Sequence, residues 1–304
     1  MTLRLLLPFL AVATAHAQTD LPALESQLLA DPENPNARSQ LAALLAPPPR
    51  HALTFGVATT TNANWGVSHR QIPWRQDGIT RLLTLDATQN PRPQTAPLIA
   101  YHLTTANSEV AAQQRAGPYP ERTLFAAHRL FPNLTATLSH YRTPTLTLND
   151  LSLTAPLPGR LGALELTRRL TPEPARESLL VTYTAPPRST PLGTTHVAVT
   201  LDRPWNTPRP GKNRRLLTLA HTRALTPHLT LTLELVALWE SRPYAPLLAA
   251  PRQITHGAAT LAARWPLTPT THLEITARAT QQQGNHPLFD RRRADLELAL
   301  TWRW

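Results

Sequence analysis

The sequence predicts an all-β fold, a transmembrane antiparallel β-barrel of about fourteen strands (twelve being the alternative count) preceded by a short α-helical leader. Three observations carry that prediction. The last stretch, Arg293 to Trp304, alternates apolar and polar residues and stops on an aromatic residue. The first seventeen residues have the build of an export signal, and the chain contains no cysteine. Between the ends lies a series of short alternating runs cut by proline turns, in a chain with 32 prolines and only 10 glycines.

At the amino end, Arg4 precedes an apolar stretch from Leu5 to Ala13 and a small-x-small site at Ala15-His16-Ala17, which predicts a signal peptide over 1–17. The stretch is too short for a spanning helix and Pro8 interrupts it. From 18 to 46 the leucines at 21, 24, 28, 29, 41, 44 and 45 follow a helical period. The segment Leu29 to Leu45 resembles the junction of a tetratricopeptide repeat, but about three such units are needed to bury a core. A short periplasmic helical segment over 18–46 is therefore expected. Pro47-Pro48-Pro49 then opens a stiff linker over 47–51 ahead of a barrel over 52–304.

Within the barrel region, clear alternation marks strands at 134–139, 196–202, 229–235, 273–280 and 293–304. Weaker runs lie at 52–62, 79–88, 97–106, 122–131, 144–154, 160–170, 177–185, 214–225 and 256–265. Together these make about fourteen strands, an even number as bacterial single-chain barrels use. Tight proline turns follow at 130–133, 225–227 and 267–269, and longer links are expected at 63–78, 107–121, 203–213, 241–253 and 281–292. With a periplasmic carboxyl terminus, the tight turns fall on the periplasmic side and the long links outside.

The closing strand assigns faces. Leu296, Leu298, Leu300, Trp302 and Trp304 share one side, and Asp295, Glu297, Thr301 and Arg303 the other. A strand that meets lipid on one face and water on the other has this pattern. Leu298, Leu300, Trp302 and Trp304 resemble the terminal signal read by the outer-membrane assembly machinery. Glu274, Arg278, Asp295, Glu297 and Arg303 are the lumen-facing candidates. Arg291, Arg292 and Arg293 form a basic cluster before that strand, a candidate contact for lipopolysaccharide phosphates because guanidinium pairs bidentately with phosphate.

Composition narrows the function classes. The chain carries 30 Lys+Arg against 19 Asp+Glu, and Lys212 is its single lysine. Such an arginine excess, with so much Ala, Leu, Pro and Thr, fits the codon bias of a GC-rich genome; the functional alternative in an exported protein is contact with lipopolysaccharide or with acidic solutes and polypeptides rather than with nucleic acid. No Gly-x-Ser-x-Gly and no His-Glu-x-x-His occurs, and the histidines are scattered one to a strand, so neither an enzyme nor a cofactor or metal site is expected.

The helical start, the proline linker, the first strand Phe55 to Trp65 with its Asn62-Ala63-Asn64, and the stretch Asn285 to Arg293 before the last strand together resemble the surface lipoprotein assembly modifiers. The resemblance implies a fourteen-stranded outer-membrane barrel behind a periplasmic repeat domain, helping a secreted protein or lipoprotein reach the cell surface. The near absence of repeats here departs from that pattern. The residues themselves fit two other roles, a porin-like channel favouring anions through inward arginines and a plugged barrel that only binds.

Overall fold

The computed structural model describes residues 48–304 except 77–78, 87–88, 173–174, 206–210 and 244–249, together with Gln27, Leu29, Asp31, Asn34 and Arg38. The expected signal peptide and nearly all of the helical leader and its linker's start lie outside the described residues. The chain divides into two units, residues 1–48 and 49–304. The second unit holds β1 (Arg50–Thr60), β2 (Gln71–Gln76), β3 (Ile79–Thr84), β4 (Gln94–Thr104), β5 (Ser108–Arg115), β6 (Glu121–Phe131), β7 (Leu134–Arg142), β8 (Thr147–Pro156) and β9 (Ala163–Pro172). It continues with β10 (Ala175–Thr184), β11 (Arg188–Thr190), β12 (Gly193–Pro204), β13 (Arg214–Thr226), β14 (Leu229–Pro243), β15 (Pro251–Pro266), β16 (Thr271–Gly284) and β17 (Arg291–Arg303).

Fourteen of these strands close into one antiparallel barrel. Each is bonded to its neighbour in sequence from β4 through β10, β10 pairs with β12, and β12 runs on through β17. β1 sits between β4 and β17 and so joins the two ends of the chain. At that seam Ala52 lies opposite Arg303, and the His51 amide donates to the Trp304 carbonyl at 3.0 Å. The Trp304 ring stacks on His51 with centroids 5.3 Å apart. Gly56 faces Ala299 across the seam, where a Cβ would collide with the Leu298 carbonyl oxygen, so close strand approach needs glycine there. Closure leaves no free edge on the barrel, which disposes of the row of unpaired amides an open sheet would carry.

Alternation sorts the side chains onto two walls of opposite character. Phe55, Val57, Ile99, Leu124, Leu138, Leu151, Leu166, Val199, Leu217, Leu235, Leu261 and Leu298 all point outward and are 39–57% exposed. Every buried apolar residue on a barrel strand faces inward instead, and most are small: Ala58, Ala96, Leu98, Leu180, Ala258 and Ala299. The inner wall is knitted by hydroxyl pairs between adjacent strands, Thr54 with Thr301 at 2.8 Å, Ser152 with Thr167 at 2.8 Å and Thr182 with Thr200 at 2.9 Å. No helix among the described residues is long and apolar enough to cross a membrane.

The expected count of fourteen is correct, but two assignments behind it are corrected. Residues 79–88 do not supply a barrel strand: β3 pairs with β2 alone, as a hairpin inside the connection from β1 to β4. Conversely, the expected link 107–121 contains a barrel strand, β5, bonded to β4 and β6. Its outward residues Ser108, Val110, Ala112 and Gln114 are small or polar, so its alternation is faint in the sequence. The two errors cancel in number and reverse the direction assigned to residues 97–106. The proline turns after Phe131 and Thr226 join adjacent strands at the end that holds Trp304, and each ends a one-residue register shift in its hairpin. The extra residues are Leu130 and Leu225, a one-residue bulge on each strand just before its turn.

Candidate functional site in the barrel lumen

The inner wall near the long connections concentrates charge. Arg115 at the end of β5 bonds Glu121 on β6 at 3.4 Å and Glu297 on β17 at 2.9 Å. The reach to β17 passes over two strands, β1 and β4. It is open because the inward residues along the way are Ala58 and Ala96, whose methyl groups leave the space above them free. Tyr141 on β7 donates its hydroxyl to Glu121 at 3.0 Å, and Arg293 bonds Asp295 at 2.7 Å. Arg115, Glu121, Tyr141 and Arg293 line a cavity of about 110 Å³ with Thr60, Gln94 and Trp65. The buried Nε–H of Arg115 has no hydrogen-bond partner among the described residues.

Trp65 reaches this wall from the connection 61–93, and the local sequence explains how. Asn62 is fully buried, donates to the carbonyls of Gly66 at 3.0 Å and Arg292 at 2.9 Å, and accepts from the Gly66 amide at 2.6 Å. Asn64 in turn accepts from the Arg92 amide at 2.9 Å and donates to the Asn90 carbonyl at 2.8 Å. The Asn-x-Asn pair therefore ties both ends of the connection together. Trp65 takes a left-handed backbone conformation at φ 53° and places its ring 5.6 Å from the Arg293 guanidinium and 6.3 Å from the inward His256. Val67, Ile72 and Leu85 pack into a small apolar core with Leu288 from the turn before β17.

The candidate residues fall in separate places. Glu297 and Asp295 belong to the cluster just described. Arg278 bonds Glu234 on β14 at 3.1 Å, and Glu274 stands 4.0 Å from His272. Arg303 lies at the opposite end of the barrel, beside the seam and exposed. Leu298, Leu300 and Trp302 project outward from β17, and Trp302 packs on Trp304 with centroids 4.6 Å apart. The basic triplet is split by the pleat. Arg292 is exposed on the outer wall, while Arg291 donates to the Trp65 and Phe289 carbonyls and Arg293 turns into the lumen.

Several groups of this wall carry no motif. A bidentate Arg169–Asp150 pair joins β8 and β9, with its shorter bond at 2.6 Å. Glu240 on β14 has no exposed side-chain surface and accepts from Arg214 at 2.9 Å and Arg252 at 2.6 Å. Every such pair combines inward positions of neighbouring or next-neighbouring strands, so only the register reveals it.

No protein-family model matches the chain and no curated protein matches it, so the likeness to surface lipoprotein assembly modifiers has no support beyond its short motifs. Solved structures are similar in fold. Pseudomonas aeruginosa OccK5 (OpdH) is 11% identical, with 84% of this chain and 98% of that one covered at a TM-score of 0.45. A BenF-like porin from Pseudomonas fluorescens Pf-5 is 8% identical, covering 84% and 99% at 0.43. Pseudomonas aeruginosa OprD is 8% identical, covering 84% and 95%, also at 0.43.

Proposed function

We propose that the chain is a porin-like diffusion channel of the bacterial outer membrane that passes small polar solutes with a mild preference for anions. The observation that carries this reading is the inversion of its walls. A closed barrel with leucine, valine and aromatic residues outside and threonine, arginine and carboxylates inside suits lipid around it and water within it. The tight-turn end with both barrel termini would face the periplasm, and the 61–93 connection the exterior. Beyond lipid and lipopolysaccharide, the partner is the assembly machinery, addressed by Leu298, Leu300, Trp302 and Trp304.

The lumen's charges are largely matched in pairs, which keeps selectivity low. Arg115, although held between Glu121 and Glu297, keeps a buried Nε–H without a partner among the described residues, and a carboxylate or phosphate is the kind of group that would satisfy it. Purified barrel in a planar bilayer should give stepwise conductance with anions favoured. A barrel that folds and stays silent would overturn the channel reading and favour the secretion role suggested by the short motifs.

A further inference from the structure

The outer wall carries its own arrangement of charge at the end of the long connections. Arg122 on β6 lies directly opposite Arg142 on β7, and both side chains are exposed. Across the barrel, Arg203 on β12 stands diagonal to Arg215 on β13, whose direct neighbour on β14 is Trp239. None of these four arginines has a carboxylate partner among the described residues. Two like charges side by side on one sheet face repel and are normally avoided. Towards the middle of the barrel the second pair gives way directly to Leu201 and Leu217, and the first to Leu124 beside His140, which bonds Asn149 at 2.6 Å, with Leu138 one step further down β7. At the opposite end, the outward arginines of the described strands, Arg188 and Arg223, stand singly against Thr195 and Leu231.

We infer that the two arginine pairs are binding sites for the phosphate groups of lipid A, the lipid anchor of lipopolysaccharide, in the leaflet at the long-connection end. A phosphomonoester carries close to two negative charges and offers three acceptor oxygens, enough to bridge two guanidinium groups that otherwise repel. The leucines beneath each pair would meet the acyl chains of the same molecule, and Trp239 would sit at the headgroup level beside Arg215. The inference rests on the outer-membrane placement of the barrel and is independent of whether its lumen conducts.

The test is native mass spectrometry of the full chain refolded with diphosphoryl lipid A, with dephosphorylated lipid A and with inorganic phosphate as separate probes. Two bound diphosphoryl lipid A molecules are expected, and neither of the other probes should be retained. R122Q/R142Q should remove one of them and R203Q/R215Q the other, each lowering retention about tenfold. Heat-modifiable migration checks that the variants are folded barrels, and flotation with phosphatidylethanolamine vesicles checks that they enter lipid. Unchanged lipid A retention in the fourfold variant would overturn the sites, as would equal binding of inorganic phosphate. Failure of the unaltered barrel to float would count against the membrane placement itself.

Discussion

The two halves of the barrel differ in height. Strands β4 to β10 run for 8 to 11 residues, whereas β12 to β17 run for 12 to 16. A tilted strand needs roughly 9 to 11 residues to cross a bilayer, so the first half is about the length of a crossing and the second exceeds it. The surplus serves the connection 61–93. Trp65 touches Arg293 and His256 on β17 and β15, and the small apolar core draws Leu288 from the turn between β16 and β17. The short half contributes Arg115, Glu121 and Tyr141 to the cavity and makes no part of that core. Crossing a membrane and carrying a folded connection are thus requirements of different size, met by different strands of one sheet.

The largest effect is expected where the two heights meet, at the seam. Replacing Leu298 and Leu300 by Arg puts two charges on the outer wall, each costing about 2 to 4 kcal/mol near a bilayer midplane. Outer-membrane yield and heat-modifiable migration should both collapse, and deleting Trp304 should lower the yield as well. Normal assembly of the double variant would mean that the faces of β17 are misassigned.

A second substitution separates the connection from its tall support. Asn62→Ala removes three hydrogen bonds from a fully buried position and leaves carbonyl and amide groups unsatisfied, at about 1 to 3 kcal/mol for each buried group. The barrel should still form, with faster proteolysis within 61–93 and a larger single-channel conductance. Identical proteolysis in the two proteins would show that the tall wall does not hold the connection through Asn62.

Charge in the lumen gives smaller changes. Glu297→Gln frees Arg115 from one of its two carboxylates and should shift ion preference towards anions, roughly twofold in permeability ratio. Arg278→Gln frees Glu234 in the tall half and should shift it the opposite way by a similar factor. Reversal potentials in asymmetric salt read both, and a shift of the same sign in the two variants would contradict the pairing. Smallest of all, Arg168→Gln on the outer wall breaks an exposed pair with Glu177 and should alter stability by less than about 1 kcal/mol, measured by thermal unfolding in detergent.

Much of the barrel could be read from alternation alone, because β17, β12 and β14 carry bulky residues on the outward face and show their period plainly. β5 escaped because a strand with Val110 alone among serine, alanine and glutamine on its outward face has little amplitude to detect. β3 misled for the opposite reason. Its pattern is that of a strand, but whether a strand joins the barrel depends on a partner distant in sequence. The cavity was legible only in pieces: Asp295 and Glu297 follow from the period of β17, whereas their association with Arg115 needs the register and the alanines between. The basic triplet could have been divided at once, since period two sends Arg292 to one wall and its two neighbours to the other.

The seam sets an order of events in time. Every other pairing of barrel strands joins strands consecutive in the barrel, but β1 meets β17 with Thr54 and Thr301 bonded across 247 positions. Until that pairing forms, the sheet has two open edges, and bringing them together restricts nearly the whole barrel chain at once. Long-range pairings of this kind slow folding, so closure of β1 on β17 is the expected rate-limiting step, and the unclosed sheet is the species most prone to aggregate. A circular permutant that links Trp304 to His51 and opens the chain in the 205–213 connection would make the seam a local hairpin and move the slow step to the opposite side of the barrel.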